Sequence, residues 1–374
     1  MFFGIFAEPA DADGGLCGRL RLMISFAGEC QIYVLFPFSA ECPMPHPLPT
    51  RREVLQQAAA GAAAAWAAPL AAFVKDDPMT EPIPIIDPHQ HLWDLTKFKL
   101  PWHDTEADAD VLKKSYVTKD YLAATKNVNV VQTVYMEVDV APEQQDAEAD
   151  YVLDLCQRND NPMTGAVISG RPAEHHKFAK YMERFANNQF IKGVRQVLHG
   201  ASTPAGFCLQ PGFVQSVQLL GEMGKRFDLC MRPGELMDGV KLVDQCPKTR
   251  FVLDHCGNGP VVPKDQAEFD RWHAGLKELA QRPHVVCKIS GIVASAAKDW
   301  TPADLAPVIN ASLEAFGEDR VMFAGDWPVC LLRASFEQWV NALKEIVKDR
   351  SLTFRRKLFH DNALKFYDLP AKKG

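Results

Sequence analysis

The sequence lacks the features that would tie it to nucleic acid, to a disulfide framework or to a membrane. Its 41 Lys and Arg residues form no long block, and the formal net charge over 374 residues is −6, so nothing marks a nucleic-acid footprint. The ten cysteines form no Cys-x-x-Cys pair, which leaves a zinc ribbon unsupported. Seven of them (Cys156, Cys208, Cys230, Cys246, Cys256, Cys287 and Cys330) are scattered through the main body, several inside apolar runs where a free thiol acts as a small buried hydrophobe. A disulfide framework is therefore not expected. The Ala-rich stretch 58–74 is too short and too rich in alanine for a comfortable permanent membrane span. What remains, 47% hydrophobic and 24% charged residues, is ample material for a large globular core.

Residues 1–80 differ in kind from the rest. Thr50-Arg51-Arg52-Glu53-Val54-Leu55-Gln56 precedes the Ala-rich stretch and resembles a twin-arginine export signal, the alternative being an ordinary Ala-rich helix. Such signals stand near a chain start, and Met44 is the better start. Residues 1–43 are thus expected to be an over-extension of the gene model, disordered or non-native, and residues 44–80 to be signal and linker. The export machinery is the expected partner and the periplasm or exterior the expected location, with the cytoplasm as the alternative.

From residue 81 to 370 short β-rich apolar runs alternate with longer amphipathic segments. Eight runs stand at 83–89, 128–138, 164–169, 191–198, 227–231, 251–255, 285–290 and 321–326. Their continuous hydrophobicity is what parallel strands covered on both faces require. Segments 147–159, 174–187, 211–225, 264–281 and 302–316 have helical composition and length. Eight β/α units in about 290 residues fit a (β/α)8 TIM barrel. An open doubly wound sheet would want a Gly-rich phosphate turn after its first strand, whereas His89-Gln90-His91-Leu92-Trp93-Asp94 follows here.

A barrel concentrates chemistry at the carboxyl ends of its strands, and His89, His91, Glu137, His199, Arg232, His255, Ser290 and Asp326 all stand there. His89 and His91 project to one side of a strand because side chains alternate with period two. They suit a metal, a polarised carbonyl or an activated water, or they decorate a strand end. Asp326 is a candidate general base toward water, or the Asp of a turn. His255 is a site residue or a cap of the turn-forming stretch that follows it. The forked guanidinium groups of Arg195 and Arg232 hold substrate carboxylate or hydroxyl groups, or pair with neighbouring carboxylates. His199 belongs to the site or to a loop, and Glu137 to the site or to a salt bridge. Trp93, Trp102 and Trp327 pack individually, or together form an apolar wall against a sugar-like ring. His175, His176, His273, His284 and His360 fall in helical or strand-start positions and are left out of the site.

The His-x-His at the first strand end, Asp-His at the sixth and Asp at the eighth resemble the amidohydrolase superfamily. Asp87 to Asp94, Gly193-Val194-Arg195, Asp254-His255-Cys256-Gly257 and Gly325-Asp326-Trp327-Pro328-Val329-Cys330 more specifically resemble its amidohydrolase-related branch. That branch contains L-fuconolactonase-type sugar lactone hydrolases and 2-pyrone-4,6-dicarboxylate lactonases, and the likeness covers residues 83–368. It implies hydrolysis of a cyclic ester, with a small-molecule lactone as substrate. His89, His91 and His255 would polarise the carbonyl, directly or through a metal, and Asp326 would take a proton from water and return it to the departing alkoxide. Arg195 and Arg232 would orient ring substituents, with His199, Glu137, Trp93 and Trp327 completing the substrate site.

Two departures limit the metal content that the resemblance implies. Binuclear members carry a bridging Lys at the fourth strand end, and Val194-Arg195-Gln196-Val197-Leu198-His199 has none. The His usual at the fifth strand end is replaced in Leu229-Cys230-Met231-Arg232. The expectation is no required metal, or a single divalent ion, Zn²⁺ first, on His89, His91, His255 and Asp326. The competing activity is a metal-dependent non-oxidative decarboxylase of an aromatic or unsaturated acid. An exported binding protein that keeps a barrel pocket is the non-enzymatic alternative.

Overall fold

The computed structural model describes residues 2–7, 19–26, 30–37, 83–104 and 109–371. They fall into two units, Met1–Asp77 and Pro78–Gly374. In the first unit β1 (Phe2–Ala7), β2 (Arg19–Phe26) and β3 (Cys30–Pro37) form an antiparallel sheet with β2 in the centre. These strands lie within the segment that the sequence reading takes as disordered or non-native. The expected signal and linker, 44–80, lies outside the described residues.

The second unit is the TIM barrel. Its strands are β4 (Ile85–Gln90), β5 (Val130–Met136), β6 (Met163–Ser169), β7 (Ile191–Val197), β8 (Arg226–Cys230), β9 (Arg250–Leu253), β10 (Val285–Ile289) and β11 (Val321–Phe323). All eight run parallel, each beside its neighbour in sequence. β4, β8, β10 and β11 are buried at every position, so their apolar residues show no in–out alternation and the ionic ones among them, Asp87, Asp228 and Lys288, are buried as well. The ring closes just past the strand ends, where the Asp326 amide donates to the His89 carbonyl (2.9 Å) and the His91 amide to the Trp327 carbonyl (2.8 Å).

The outer layer is α1 (Thr118–Thr125), α2 (Gln145–Gln157), α3 (His175–Glu183), α4 (Pro211–Glu222), α5 (Leu236–Gln245), α6 (Gln266–Ala280), α7 (Pro302–Phe316) and α8 (Phe336–Ile346). Local chemistry starts several of them. Pro211 and Pro302 occupy first-turn positions where no amide partner is lost, and Ser335 with Gln338 forms a capping box on α8. α7 buries Leu305, Val308, Ile309, Ser312, Leu313 and Phe316, one face at helical spacing. No helix among the described residues is long and apolar enough to cross a membrane.

The amino-terminal mouth of the barrel is filled by the end of the chain. Ala363, Phe366, Tyr367 and Leu369 pack in one apolar cluster with Ile86, Val134, Met136, Val167, Val252, Val286 and Met322 from six strands. Arg226 and Arg250 donate to the Phe366 carbonyl, and Gln132 to that of Pro370. A depression of about 590 Å³ beside this plug is lined by Met163, Phe190, Lys192 and Asp368. It lies at the opposite end from the strand-end histidines.

Candidate active site

The seam between β4 and β11 assembles the central group. Because the backbones of His89 and Asp326 are hydrogen-bonded across it, the Asp326 carboxylate meets both imidazoles: its Oδ1 lies 3.3 Å from His91 Nε2 and 3.6 Å from His89 Nε2. Asp326 adopts a left-handed backbone (φ 51°), which turns the chain at the strand end. His91 Nδ1 donates to the Met136 carbonyl (3.0 Å), and that bond directs Nε2 toward Asp326. Asp87, wholly buried beneath, accepts from the Gly325 amide (2.7 Å) and the Tyr121 hydroxyl (2.8 Å), tying the two sides of the seam together.

Around His89 lies a buried charge network drawn from five further strands. Arg195 on β7 donates through Nε to Glu137 Oε1 (2.6 Å) and through Nη2 to the Glu137 carbonyl (2.8 Å), and its Nη1 lies 3.3 Å from His89 Nε2. Lys288 on β10 donates to Asp228 Oδ2 on β8 (2.6 Å) and stands 3.1 Å from Asp254 Oδ1 and 3.3 Å from His89 Nδ1. Burial, reinforced by the charge of Lys288 and opposed by Asp254, holds the His89 imidazole well below its ordinary value, so the ring is neutral at physiological pH. Burial alone would raise Asp254, but the Lys288 ammonium together with His89 and His255 outweighs it and holds the carboxyl well below its ordinary value. Burial pushes Asp228 up to about 6 against the pull of Lys288.

His255 reaches the site from the end of β9. Its ring lies 4.5 Å from that of His89, centroid to centroid, and its Nδ1 contacts Ser290 Oγ (3.0 Å) at the end of β10. Burial lowers its pKa as well, with Arg195 and Lys288 adding to the effect.

Other expected residues are placed differently. Arg232 is committed to the loop beyond β7: its guanidinium donates to the carbonyls of Leu198, Gly200 and Thr203 and pairs with Glu235. Its donors are engaged in shaping the rim rather than left pointing at a ligand. Glu137 is the carboxylate that fixes Arg195. The apolar wall is not formed. Trp93 and Trp327 are each 1% exposed, packed around Tyr116, and Trp102 donates to the Val138 carbonyl while stacking edge-on against Trp93. His199 is exposed just past the end of β7. Desolvation by the protein around it, then the positive charges of Arg195, His255 and Arg232, lower it to about 4.

Four buried charges were not in the expected site: Asp87, Asp228, Asp254 and Lys288. A signal for two of them was present, since Phe227-Asp228-Leu229 and Cys287-Lys288-Ile289 put an ionic side chain inside an apolar strand, where it needs a partner.

The seam group fits one divalent ion. His89, His91 and Asp326 present donor atoms within 4.8 Å of one another, and the 3.3 and 3.6 Å spacings approach the ~3.3 Å between ligands of a tetrahedral shell about 2.0 Å in radius. His91 has an acceptor behind its other nitrogen, Met136 O, the outer contact that orients a ligating imidazole, while His89 Nδ1 faces Asp254 Oδ1 at 3.4 Å and the Lys288 ammonium at 3.3 Å. Binding through His89 Nε2 requires Arg195 Nη1 to turn its N–H from that lone pair. His255 does not join this set; it groups with His89 and Asp254 instead.

A family model described as amidohydrolase matches residues 86–369. The chain belongs to the amidohydrolase family. This amidohydrolase is 31% identical over 300 residues to the y4mH protein of Sinorhizobium fredii, spanning 76% of this chain and 98% of that one. It is 28% identical over 295 residues to an L-fucono-1,5-lactonase of Burkholderia multivorans, spanning 76% and 96%. Among solved structures, a Burkholderia multivorans amidohydrolase with bound zinc superposes with a TM-score of 0.68 at 25% identity, covering 77% of this chain and all of that one.

Proposed function

We propose that this amidohydrolase is a lactonase, a hydrolase that opens the cyclic ester of a sugar acid or related carboxylic acid. The observation that carries the reading is the convergence of neutral imidazole and the Asp326 carboxylate at the closed barrel seam, in a chain related along almost its whole barrel to an L-fucono-1,5-lactonase. Asp326 accepts the proton of the attacking water and later returns it to the ring oxygen as the carbon–oxygen bond breaks. If the Ser290 hydroxyl donates to His255 Nδ1, the N–H of His255 stands on Nε2 and can donate a hydrogen bond to the lactone carbonyl oxygen as charge develops there. Arg195, locked by Glu137, supplies a fixed positive charge beside that oxygen.

His89, His91 and Asp326 would hold a single divalent ion, Zn²⁺ by analogy with the zinc-bound relative. Such an ion supplies Lewis acidity and a more acidic water when bound. The Arg51-Arg52 pattern supports export of the enzyme by the twin-arginine route.

The test is acid release in a pH-stat from L-fucono-, L-rhamnono- and galactonolactones, with and without a chelator. Acid release from at least one lactone is expected. Carbon dioxide from a benzoate or muconate, with no acid from any lactone, would replace the lactonase by the decarboxylase. Asp326→Asn should lower kcat at least ~10²-fold while leaving lactone binding measurable by calorimetry, and an unchanged kcat removes Asp326 from the base role.

A further inference from the structure

Lys288 has surroundings unlike those of an ordinary buried ion pair. Its ammonium, with no solvent exposure, is enclosed by Asp228, Asp254 and His89, which come from three different strands or strand ends, and the Tyr367 ring lies 5.7 Å below. Neither Asp254 oxygen completes a hydrogen bond of good geometry, and Asp228 Oδ1 has no hydrogen-bond partner. Three fully buried carboxylate oxygens are therefore compensated by nearby charge rather than by directed donors. Leaving them without that charge would cost several kcal/mol per ion.

The same place is a ligand group. His89, Asp254 and His255 offer donor atoms within 4.8 Å of one another, distinct from the His89, His91 and Asp326 group except for the shared ring. Lys288 Nζ stands against two of its three members, Asp254 at 3.1 Å and His89 Nδ1 at 3.3 Å. A fixed ammonium among those donors opposes a divalent ion there directly.

We propose that Lys288 is a tethered cation standing in the place of a second metal ion: it fills the His89–Asp254–His255 group, so the barrel takes one divalent ion at the seam and excludes another. The count of one rests on the reading of the seam group given above; the exclusion does not. A chelator can strip an ion from the seam, but the Lys288 ammonium beside Asp254 and His89 is covalently attached.

The experiment is zinc stoichiometry by elemental analysis on the full chain, freed of metal by chelator dialysis, loaded with Zn²⁺ and desalted. Wild type should hold about one equivalent and Lys288→Ala about two, because the variant exposes an unfilled carboxylate–imidazole group. Lys288→Arg, which keeps the charge, should stay at about one. Two equivalents in wild type, or no gain in Lys288→Ala, overturns the proposal. Should the alanine variant not fold, Lys288→Gln is read by melting temperature: saturating Zn²⁺ should raise it more than it raises wild type, and equal rises overturn the proposal. Zinc-free wild type beside a one-zinc Lys288→Ala keeps the Lys288 assignment and removes the one-ion seam. One zinc in both does the reverse.

Discussion

A carboxyl group without a counter-ion can be buried only in its protonated form, and Glu148 meets that condition. Its Oε1 accepts from the Val138 amide (2.8 Å) and the Tyr135 hydroxyl (2.9 Å), while Oε2 has no hydrogen-bond partner. Burial, followed by the charge of Glu137, pushes its pKa up to about 8. The unfolded group releases its proton near 4.5, so between 4.5 and 8 the unfolded state binds fewer protons and rising pH destabilises the fold. The stabilising contribution is complete below 4.5 and is lost as pH rises through 8. Glu148→Gln keeps the Oε1 acceptor and removes the titration. It should be more stable than wild type by roughly 2–4 kcal/mol at pH 9, with the gap closing toward pH 4.5. Urea unfolding across that range checks this, and parallel stability curves would refute it. The sequence showed an acidic residue in a helical segment; its burial behind Glu137 is a matter of which face of α2 meets β5.

At the scale of elements, the turn after β9 carries the most backbone strain. His255, Cys256, Gly257 and Asn258 have φ of 55°, 53°, 65° and 52°, four successive left-handed residues of which three are not glycine. Each of those costs roughly 1–2 kcal/mol. The turn is held by the bond of the Gly257 amide to Asp254 O (2.8 Å), by Asn258 Nδ2 to Met231 O (2.8 Å) and by Trp272 Nε1 to Cys256 O (2.8 Å). Its effect is to swing His255 off the strand line and across to Ser290. Gly291, next in the chain, also has positive φ (70°), and a Cβ there would fall 2.3 Å from His255 Nδ1. Gly291→Ala should therefore displace the His255 ring, cost about 1–3 kcal/mol and lower kcat at least ~10-fold. Thermal melts and lactone kinetics separate the two effects, and a lower melting temperature with unchanged kcat would show that the ring position is not used in turnover. The stretch Asp254 to Pro260 reads as a turn in the sequence. The run of four positive φ values does not, because left-handed residues ordinarily occur singly and Cys has no preference for that region.

The barrel as a whole is organised from its two ends. One end is the seam, where Asp87 and Gly325, 238 residues apart, are joined by a hydrogen bond that brings His89, His91 and Asp326 together. The other is the plug, where Tyr367 fills the barrel lumen with its hydroxyl 3.4 Å from Asp228. Through Asp228 and Lys288 the plug touches the network around His89. Tyr367→Ala should leave a cavity at the base and cost about 3–5 kcal/mol, while Tyr367→Phe, which loses only a long hydrogen bond, should cost about 1 kcal/mol or less. Urea unfolding measures both, and a Tyr367→Ala midpoint equal to that of wild type would show that the plug adds nothing to the barrel.

Periodicity and composition were enough for the eight strands, their parallel order and the placing of His89, His91, His255 and Asp326 at strand ends, because burial on two faces leaves a mainly apolar run without alternation and the run stops where chemistry can begin. The identity of partners was decided only in three dimensions. Arg232 turned to its own loop, Trp93 and Trp327 to the core, Glu137 to Arg195, and Lys288 to the middle of the carboxylates. Hydrophobic pattern reports how deeply a residue is buried. Which charge it meets there depends on the closure of the ring, which sets strands distant in sequence face to face.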